Sequence, residues 1–462
     1  MNDHGPTGHM DVDERIDLWI DRQAGHCARL MERSISATDL RHRRPAFGHV
    51  VVPARGSVLA SPEPAAWDPL PDYFFHWVRD SAIVMGAVVE LWAGAAAPAE
   101  RDRWRAHFEA FIDFSWALLE DDGAGRPETG IDFRKITPEA RKFLRPESEL
   151  RAVRGDRLLG EPRFNPDGTL DFLRWSRPQY DGPALRALAC MRYAQQCRDE
   201  GLEPPENLWR LLGRDLDFTV KHADKPCIGP WEEPDEFGQH YYVSLVQLGA
   251  VYHGQSWLQD AVTTISAARF RGAEAKLREG LEQHWSDDRQ IYTTMRGSTV
   301  EWRDDGLDSA LILAVVDAGL PVGRHSVSDD RVQKTVSALE AMFAHELPIN
   351  RDRPEGHAPA LGRSRGDRYF GGGAWFPTTL AAAGFYYRLA DHAQRVIGDC
   401  DRVAHLIQRG DSVMSTVRRY IPRDATLSEQ FDRTTGQPAS ARNLAWSYAA
   451  FIDAACARRR VM

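Results

Sequence analysis

Apolar residues recur at a spacing near 3.6 along almost the whole chain, and alternating apolar and polar runs are few and short. The spacing predicts an all-α protein with about twelve helices, over roughly 11–36, 79–94, 98–121, 183–199, 206–223, 241–266, 270–285, 306–319, 330–346, 375–391, 398–420 and 441–459. Two kinds of helix alternate. Ala184-Leu185-Arg186-Ala187-Leu188-Ala189, Leu311-Ile312-Leu313-Ala314-Val315-Val316 and Leu380-Ala381-Ala382-Ala383-Gly384 are rich in small and apolar residues, whereas Arg402-Val403-Ala404-His405-Leu406-Ile407-Gln408-Arg409 carries a charged stripe. The first kind belongs inside and the second outside. Connections alternate too: long at 37–78, very short before the third helix, long again at 122–182, and so on to 421–440. Short joins make antiparallel neighbours, so the long loops collect at one end. Six inner and six outer helices paired in this way describe an (α/α)6 toroid. No linker or low-complexity segment divides it, and residues 1–462 are expected to form a single domain.

Charge and composition narrow the partners. A net charge of −9 and a pI near 6.0 argue against nucleic acid and against an anionic membrane surface. Ser81 to Ala99 is nearly long enough to cross a bilayer, but it contains Glu90 and follows Arg79-Asp80, which favours a buried helix. The polar amino terminus lacks the basic and apolar regions of a signal peptide. Six scattered cysteines have no metal-ligand spacing, and Cys190 and Cys197, two turns apart on one helix, are too far apart to bridge. These features imply reduced thiols, a cytoplasmic protein and no metal, and leave the number of subunits open. Fourteen tryptophans and twelve tyrosines serve a core, and they also suit the flat faces of sugar rings.

The candidate chemistry lies in the long loops. Pro230-Trp231-Glu232-Glu233-Pro234 sets two carboxylates behind an indole and between prolines that disfavour helix. It reads either as a solvated turn or as the acid half of an active site, with Trp231 offering an apolar wall or a sugar-stacking face, an environment that would raise a carboxyl pKa. Asp72-Tyr73-Phe74-Phe75-His76-Trp77-Val78-Arg79-Asp80 ends an aromatic run in an Arg-Asp pair, where Asp80 is either a helix cap or, with Arg79, a binder of sugar hydroxyls beside Trp77 and Tyr73. Trp175 begins a run through Asp181-Gly182-Pro183 that signals a turn and a helix start. Arg363 opens a segment that runs through Asp367, Tyr369 and a glycine triplet to Trp375. Those glycines serve either close backbone approach to a ligand or a hinge. Glu429, in Leu427-Ser428-Glu429-Gln430-Phe431-Asp432, falls on the same end of the toroid as Glu232. Two carboxylates among aromatics and hydroxyl-binding groups meet the needs of glycosidic bond hydrolysis.

Taken together these pieces resemble glycoside hydrolase family 15, the glucoamylase family, from about Tyr73 to Ile452. The resemblance rests on Tyr73 to Asp80, Gly160-Glu161-Pro162-Arg163-Phe164-Asn165, Arg177 to Arg186, Trp231-Glu232-Glu233, Trp375-Phe376, Ser428 to Asp432 and Ser440 to Ala449, in that order. It implies the same (α/α)6 fold and an inverting, exo-acting hydrolase that releases β-glucose from non-reducing α-glucosyl ends, with no cofactor. Glu232 would be the general acid and Glu429 the general base, roughly 6.5–9.5 Å apart to admit a water. Arg79 and Asp80 would clamp the terminal glucose, with Arg363 as the second arginine and Glu233 a contact to the next sugar. Trp77, Trp175 and Trp375 would be aromatic walls, and Tyr73 would stand beside the water. Gly229 departs from the acidic residue that many members carry there. Neither an amino-terminal β-sandwich nor a starch-binding domain is seen, so a short oligosaccharide linked α-1,4 or α-1,6 is the expected substrate. Trehalose is the alternative within the family. A disaccharide phosphorylase and a non-catalytic sugar-binding toroid are poorer fits, because each leaves Glu429 without a purpose.

Overall fold

The computed structural model describes residues 14–66, 69–120, 131–296 and 306–462. Twelve long helices alternate between two layers. The inner six are Val78–Gly94, Asp181–Asp199, Tyr241–Gly254, Ala310–Ala318, Phe376–His392 and Ala445–Val461. Each packs against the next, and the last packs against the first, closing a ring. The outer six are Ile16–Glu32, Pro98–Glu120, Glu206–Lys221, Ala267–Glu282, Asp330–Glu346 and Cys400–Tyr420. This is the (α/α)6 barrel that the alternation of helix character implied. The inner helix Tyr241–Gly254 buries every residue from Tyr241 to Val251, as an all-apolar helix must. The outer helix Cys400–Tyr420 instead buries one stripe that includes Leu406, Val413, Met414 and Val417. The run from Ser81 that approached membrane-spanning length is the first inner helix, and none of the described helices is long and apolar enough to cross a membrane. All six cysteines are unpaired.

Several boundaries differ from the expected ones. The helix expected at 241–266 ends at Gly254, and a 3₁₀ turn at Gln255–Trp257 carries the chain away. The apolar spacing ran on because Trp257 and Val262 are also buried against or bonded to the neighbouring outer helix: the Trp257 and Trp209 rings lie 5.9 Å apart and Val262 N–H donates to Trp209 O. The helix expected from 306 begins at Ala310, whose N–H is accepted by Asp308 Oδ1 at 2.8 Å. The helix expected from 441 begins at Ala445, because Ser440 and Asn443 hold left-handed backbone, with φ of 60° and 49°. Residues 11–13 and 121, assigned above to two outer helices, lie outside the described residues, as does most of the polar amino terminus.

Short strands that periodicity did not reveal tie the long loops together. His76–Trp77 pairs antiparallel with Arg163–Phe164, joining the first loop to the second. Ala374–Trp375 pairs with Gln430–Phe431, which pairs with Pro438–Ala439, joining the fifth loop to the sixth. Three inner helices continue directly from such strands, at Trp77, His240 and Trp375. Each of these residues is extended, and the helix begins at the next one.

Charged pairs also cross between the layers. Arg186 of an inner helix gives two hydrogen bonds, of 2.8 and 2.7 Å, to Asp215 of the outer helix that follows, and both side chains are fully buried. Removing one partner strands the other charge out of water. Asp215→Ala is expected to lower stability by about 3–5 kcal/mol, and replacing both residues by apolar ones of similar volume is expected to recover most of that loss. Urea unfolding of the single and double variants measures both.

Candidate active site

A cavity of about 460 Å³ opens at the long-loop end, lined by Tyr73, Trp77, Arg79, Asp80, Trp175, Trp231, Glu232, Glu233, Arg363, Trp375 and Glu429. Every residue singled out from the sequence therefore lies in one pocket wall. Arg174, Ser176, Pro230, Pro234, Tyr369 and Trp446 complete it.

Glu232 sits at the end of a tight turn in which its N–H donates to Gly229 O, with φ at 62°. That left-handed backbone is uncommon for a residue with a side chain, and surrounding contacts hold it. Ser176 Oγ donates to the Glu232 carbonyl at 2.5 Å. The carboxylate meets four N–H donors: Trp77 Nε1, Arg79 Nη2 and Gln179 Nε2 on Oε1, each at 2.9 Å, and Trp175 Nε1 on Oε2 at 2.5 Å. Trp231 lines the same pocket, but the contacts to the carboxylate are polar. Two other indoles approach the carboxylate by their N–H edges, while Trp231 Nε1 turns to both oxygens of Asp308 at 2.9 Å.

Beneath these indoles lies the Arg163 guanidinium, 3.7 Å from the Trp175 ring centroid, 4.7 Å from Trp77 and 4.2 Å from Phe75. Its Nε donates to Asp171 at 2.9 Å. Its two terminal nitrogens have no hydrogen-bond partner among the described residues. Cation–π attraction to the three rings takes the place of those bonds.

Arg79 is the junction of the pocket floor. It donates to Asp181 at 2.9 Å, to Gln179 at 3.1 Å and to Glu232, and its Nε lies 3.6 Å from Asp80. Burial pushes the Asp80 carboxyl up to about 6, against the pull of Arg79 and with the help of Glu232. Asp80 is thus no exposed helix cap.

Glu429 stands where the sixth loop forms its strand, and its N–H and C=O are spent on Ala441 and Phe376. Burial raises its carboxyl to about 7, opposed by the Ser440 hydroxyl, Arg363 and Tyr73 and reinforced by Asp80. Ser440 Oγ donates directly to Oε2. Tyr73 Oη is 2.6 Å from Tyr369 Oη. Arg363 grips Asp367 with two hydrogen bonds, of 2.8 and 2.5 Å, and reaches Glu233 at 3.1 Å. The glycine triplet serves close approach of backbone to backbone: a Cβ on Gly372 would lie 1.8 Å from Asp367 O, and one on Gly373 would lie 2.4 Å from Phe431 O.

The departure at Gly229 also has a physical basis. A Cβ there would lie 2.6 Å from the imidazole of buried His240, so that ring fills the space a longer side chain would need.

Gln179, Asp181, Asp308, Ser440 and Tyr369 carry the site's hydrogen bonds and were not picked out as site residues from sequence. Four of the five lie inside the runs quoted above, where only an identified partner across the pocket could have marked them.

The family model for Glycosyl hydrolases family 15 matches residues 31–115 and 146–456. The chain belongs to this family. It is a glycoside hydrolase. The glucoamylase of Blastobotrys adeninivorans is 26% identical over 90% of this chain and 69% of its own length. A probable glucoamylase of Schizosaccharomyces pombe is 24% identical over 96% of this chain and 92% of its own. Among solved structures, the glucoamylase from Saccharomycopsis fibuligera superposes with a TM-score of 0.76 at 22% identity, covering 97% of this chain and 96% of that one, and shares the fold.

The buried Glu429 ties the site to stability. Its carboxyl holds a proton in the folded protein from the ordinary value of 4.5 up to about 7, a window in which the unfolded chain has lost it. Folding therefore binds the extra proton there, and stability falls as pH rises through that window. Glu429→Gln removes the titration. The variant is expected to be more stable than the parent at pH 8, by at most about 3 kcal/mol, and to match it near pH 4. Thermal unfolding across pH tests the sign.

Proposed function

We propose that this hydrolase cleaves α-glucosidic bonds from the non-reducing end, with inversion, releasing β-glucose from short α-1,4- or α-1,6-linked gluco-oligosaccharides. The observation that carries the reading is the union of Glu232 and Glu429 in one aromatic-lined pocket, in unlike settings. Family membership and the resemblance to proteins named glucoamylases support the substrate class.

In this reading Glu232 protonates the leaving oxygen. Three N–H groups on Oε1 stabilise the carboxylate that remains, and Oε2, which among the described residues accepts only from the Trp175 indole, is the oxygen that hands over the proton. Glu429 takes a proton from a water that attacks the anomeric carbon from the other face, as inversion requires. Arg79 Nε and Trp375 Nε1 are buried in the pocket wall with no hydrogen bond among the described residues, and they serve as donors for sugar hydroxyls. Asp80 accepts from the same ring. Glu233, held by Arg363, meets the next sugar.

Glu232→Gln and Glu429→Gln are each expected to lower turnover by roughly 10²–10⁴ with the fold intact. Asp80→Ala is expected to lose recognition of the terminal glucose. Incubation with maltose, isomaltose, trehalose and maltotetraose, with the anomer of released glucose followed by NMR, tests the rest. α-Glucose as first product would overturn inversion, trehalose as sole substrate would move the activity to trehalose cleavage, and no glucose from any of them would overturn the substrate class.

A further inference from the structure

Arg163 is wholly buried, lines none of the cavity and has no part in the steps above. Strand register sets its place. It stands directly opposite Trp77 in the antiparallel pair that joins the first loop to the second, so the two side chains project from the same face. The guanidinium carbon lies 3.7 Å from the Trp175 ring centroid and 4.7 Å from that of Trp77, and the two rings meet edge to face, 5.9 Å apart. Those same indoles bond the acid: Trp77 Nε1 donates to Glu232 Oε1 at 2.9 Å and Trp175 Nε1 to Oε2 at 2.5 Å. One cation is therefore shared by a donor to each carboxylate oxygen.

The charge on Arg163 is only partly met by anions. Its carboxylate partner, Asp171, accepts from Arg163 Nε at 2.9 Å and also from Arg177 at 3.1 Å. Arg177 and Arg145 in turn share Glu161, at 2.8 Å each. Three buried guanidiniums thus meet two buried carboxylates, since Glu149, the other partner of Arg145, is half exposed. The two terminal nitrogens of Arg163 have no hydrogen bond among the described residues. Burying a cation with so little support costs stability. What it faces instead is the pair of indoles that hold Glu232. A cation over an indole face draws π density towards itself and leaves the ring N–H more positive, and the effect grows where water is absent.

We propose that Arg163 is a positioning residue for the acid: it clamps the Trp77 and Trp175 rings by their faces, keeps their N–H edges on Glu232, and strengthens both as donors to the carboxylate left when the proton passes to the leaving oxygen. The inference rests on the reading of Glu232 as general acid. Arg163 spends its one hydrogen bond on Asp171, so its effect reaches Glu232 through the two rings. A lysine would not reproduce it, because an ammonium cannot lie flat against two rings at once. The help that Arg163 gives is help in releasing a proton, and it therefore scales with how much proton the leaving group needs.

The test measures kcat and KM of Arg163→Met and Arg163→Lys on phenyl α-glucoside, 4-nitrophenyl α-glucoside and α-glucosyl fluoride, whose leaving groups need successively less proton, with circular dichroism as the check on folding. In Arg163→Met, kcat on the phenyl glucoside is expected to fall roughly tenfold or more, the scale of a desolvated cation–π contact. The 4-nitrophenyl glucoside should lose less, the fluoride less than about twofold, and KM should stay within about threefold of the parent throughout. Arg163→Lys, the milder change, is expected to show the same order with smaller losses, about threefold on the phenyl glucoside. Equal losses on all three substrates, a change confined to KM, or a folded variant with parental kcat on the phenyl glucoside would each overturn the proposal. Failure of the underlying reading has a different signature: Glu232→Gln should show the same order of losses more steeply, and equal losses in that variant would remove Glu232 as the acid and the Arg163 inference with it.

Discussion

The site depends on one buried cation. Arg79 stands at the first turn of an inner helix and reaches Asp181 at the start of the next inner helix, Gln179 in the loop before it, and Glu232 in the loop after that. A guanidinium is rigid, permanently charged and forked, so it fixes several acceptors in one plane, which a lysine could not. Three largely buried carboxylates, Asp80, Asp181 and Glu232, are held near it. Without the cation their mutual repulsion and desolvation would drive them apart or neutralise them. The barrel makes the arrangement possible, because helices that follow long loops bring their amino-terminal ends, with their favourable dipoles, to the same end of the ring.

The two proposed catalytic carboxylates are held by opposite means. Glu232 is surrounded by N–H groups from the first two long loops and the first turn of an inner helix, and its own backbone is pinned in a left-handed turn. Glu429 is held by backbone pairing with Ala441 and Phe376 and accepts the Ser440 hydroxyl, which stabilises a charge less firmly than a guanidinium and leaves its carboxyl raised by burial. An acid must leave a stable anion behind and a base must be ready to accept a proton. The four N–H groups serve the first need and the buried, lightly supported carboxyl serves the second.

Much of this was legible in the chain. The alternation of apolar and striped helices with long and short joins carried the barrel, because burial on all sides and burial on one stripe leave different spacings in the sequence. Glu232 and Glu429 were legible because each stands in a distinctive run within a long loop. What stayed hidden was whatever depends on partners far away in sequence. Two-residue strands have too few positions to show an alternating pattern, yet they set Trp375 opposite Gln430, the residue after Glu429. Ser440 and Tyr369 look like ordinary loop residues until the fold brings them to Glu429 and Tyr73, the latter across 296 positions. Trp231 lines the pocket as expected, but its place next to Glu232 in sequence says nothing of where its indole N–H points, and Asp308 takes it.

Gly229 shows how one small residue propagates through such a site. Because it lacks a side chain, His240 can fill the space behind the turn, where its Nε2 lies 2.8 Å from the Glu236 carbonyl. His240 is also the last extended residue before the inner helix Tyr241–Gly254. The acid-bearing turn and the start of that helix are therefore packed on one imidazole, and a longer side chain at position 229 must move both. In the proposed reading, contacts beyond the terminal sugar fall to the residues this compact turn leaves in the pocket lining: Glu233 held by Arg363, Pro234, and Arg174 beside Trp175. The charge network on Arg79 and the packing of the Gly229 turn on His240 thus support the two sides of Glu232 separately, one through its carboxylate and the other through its backbone.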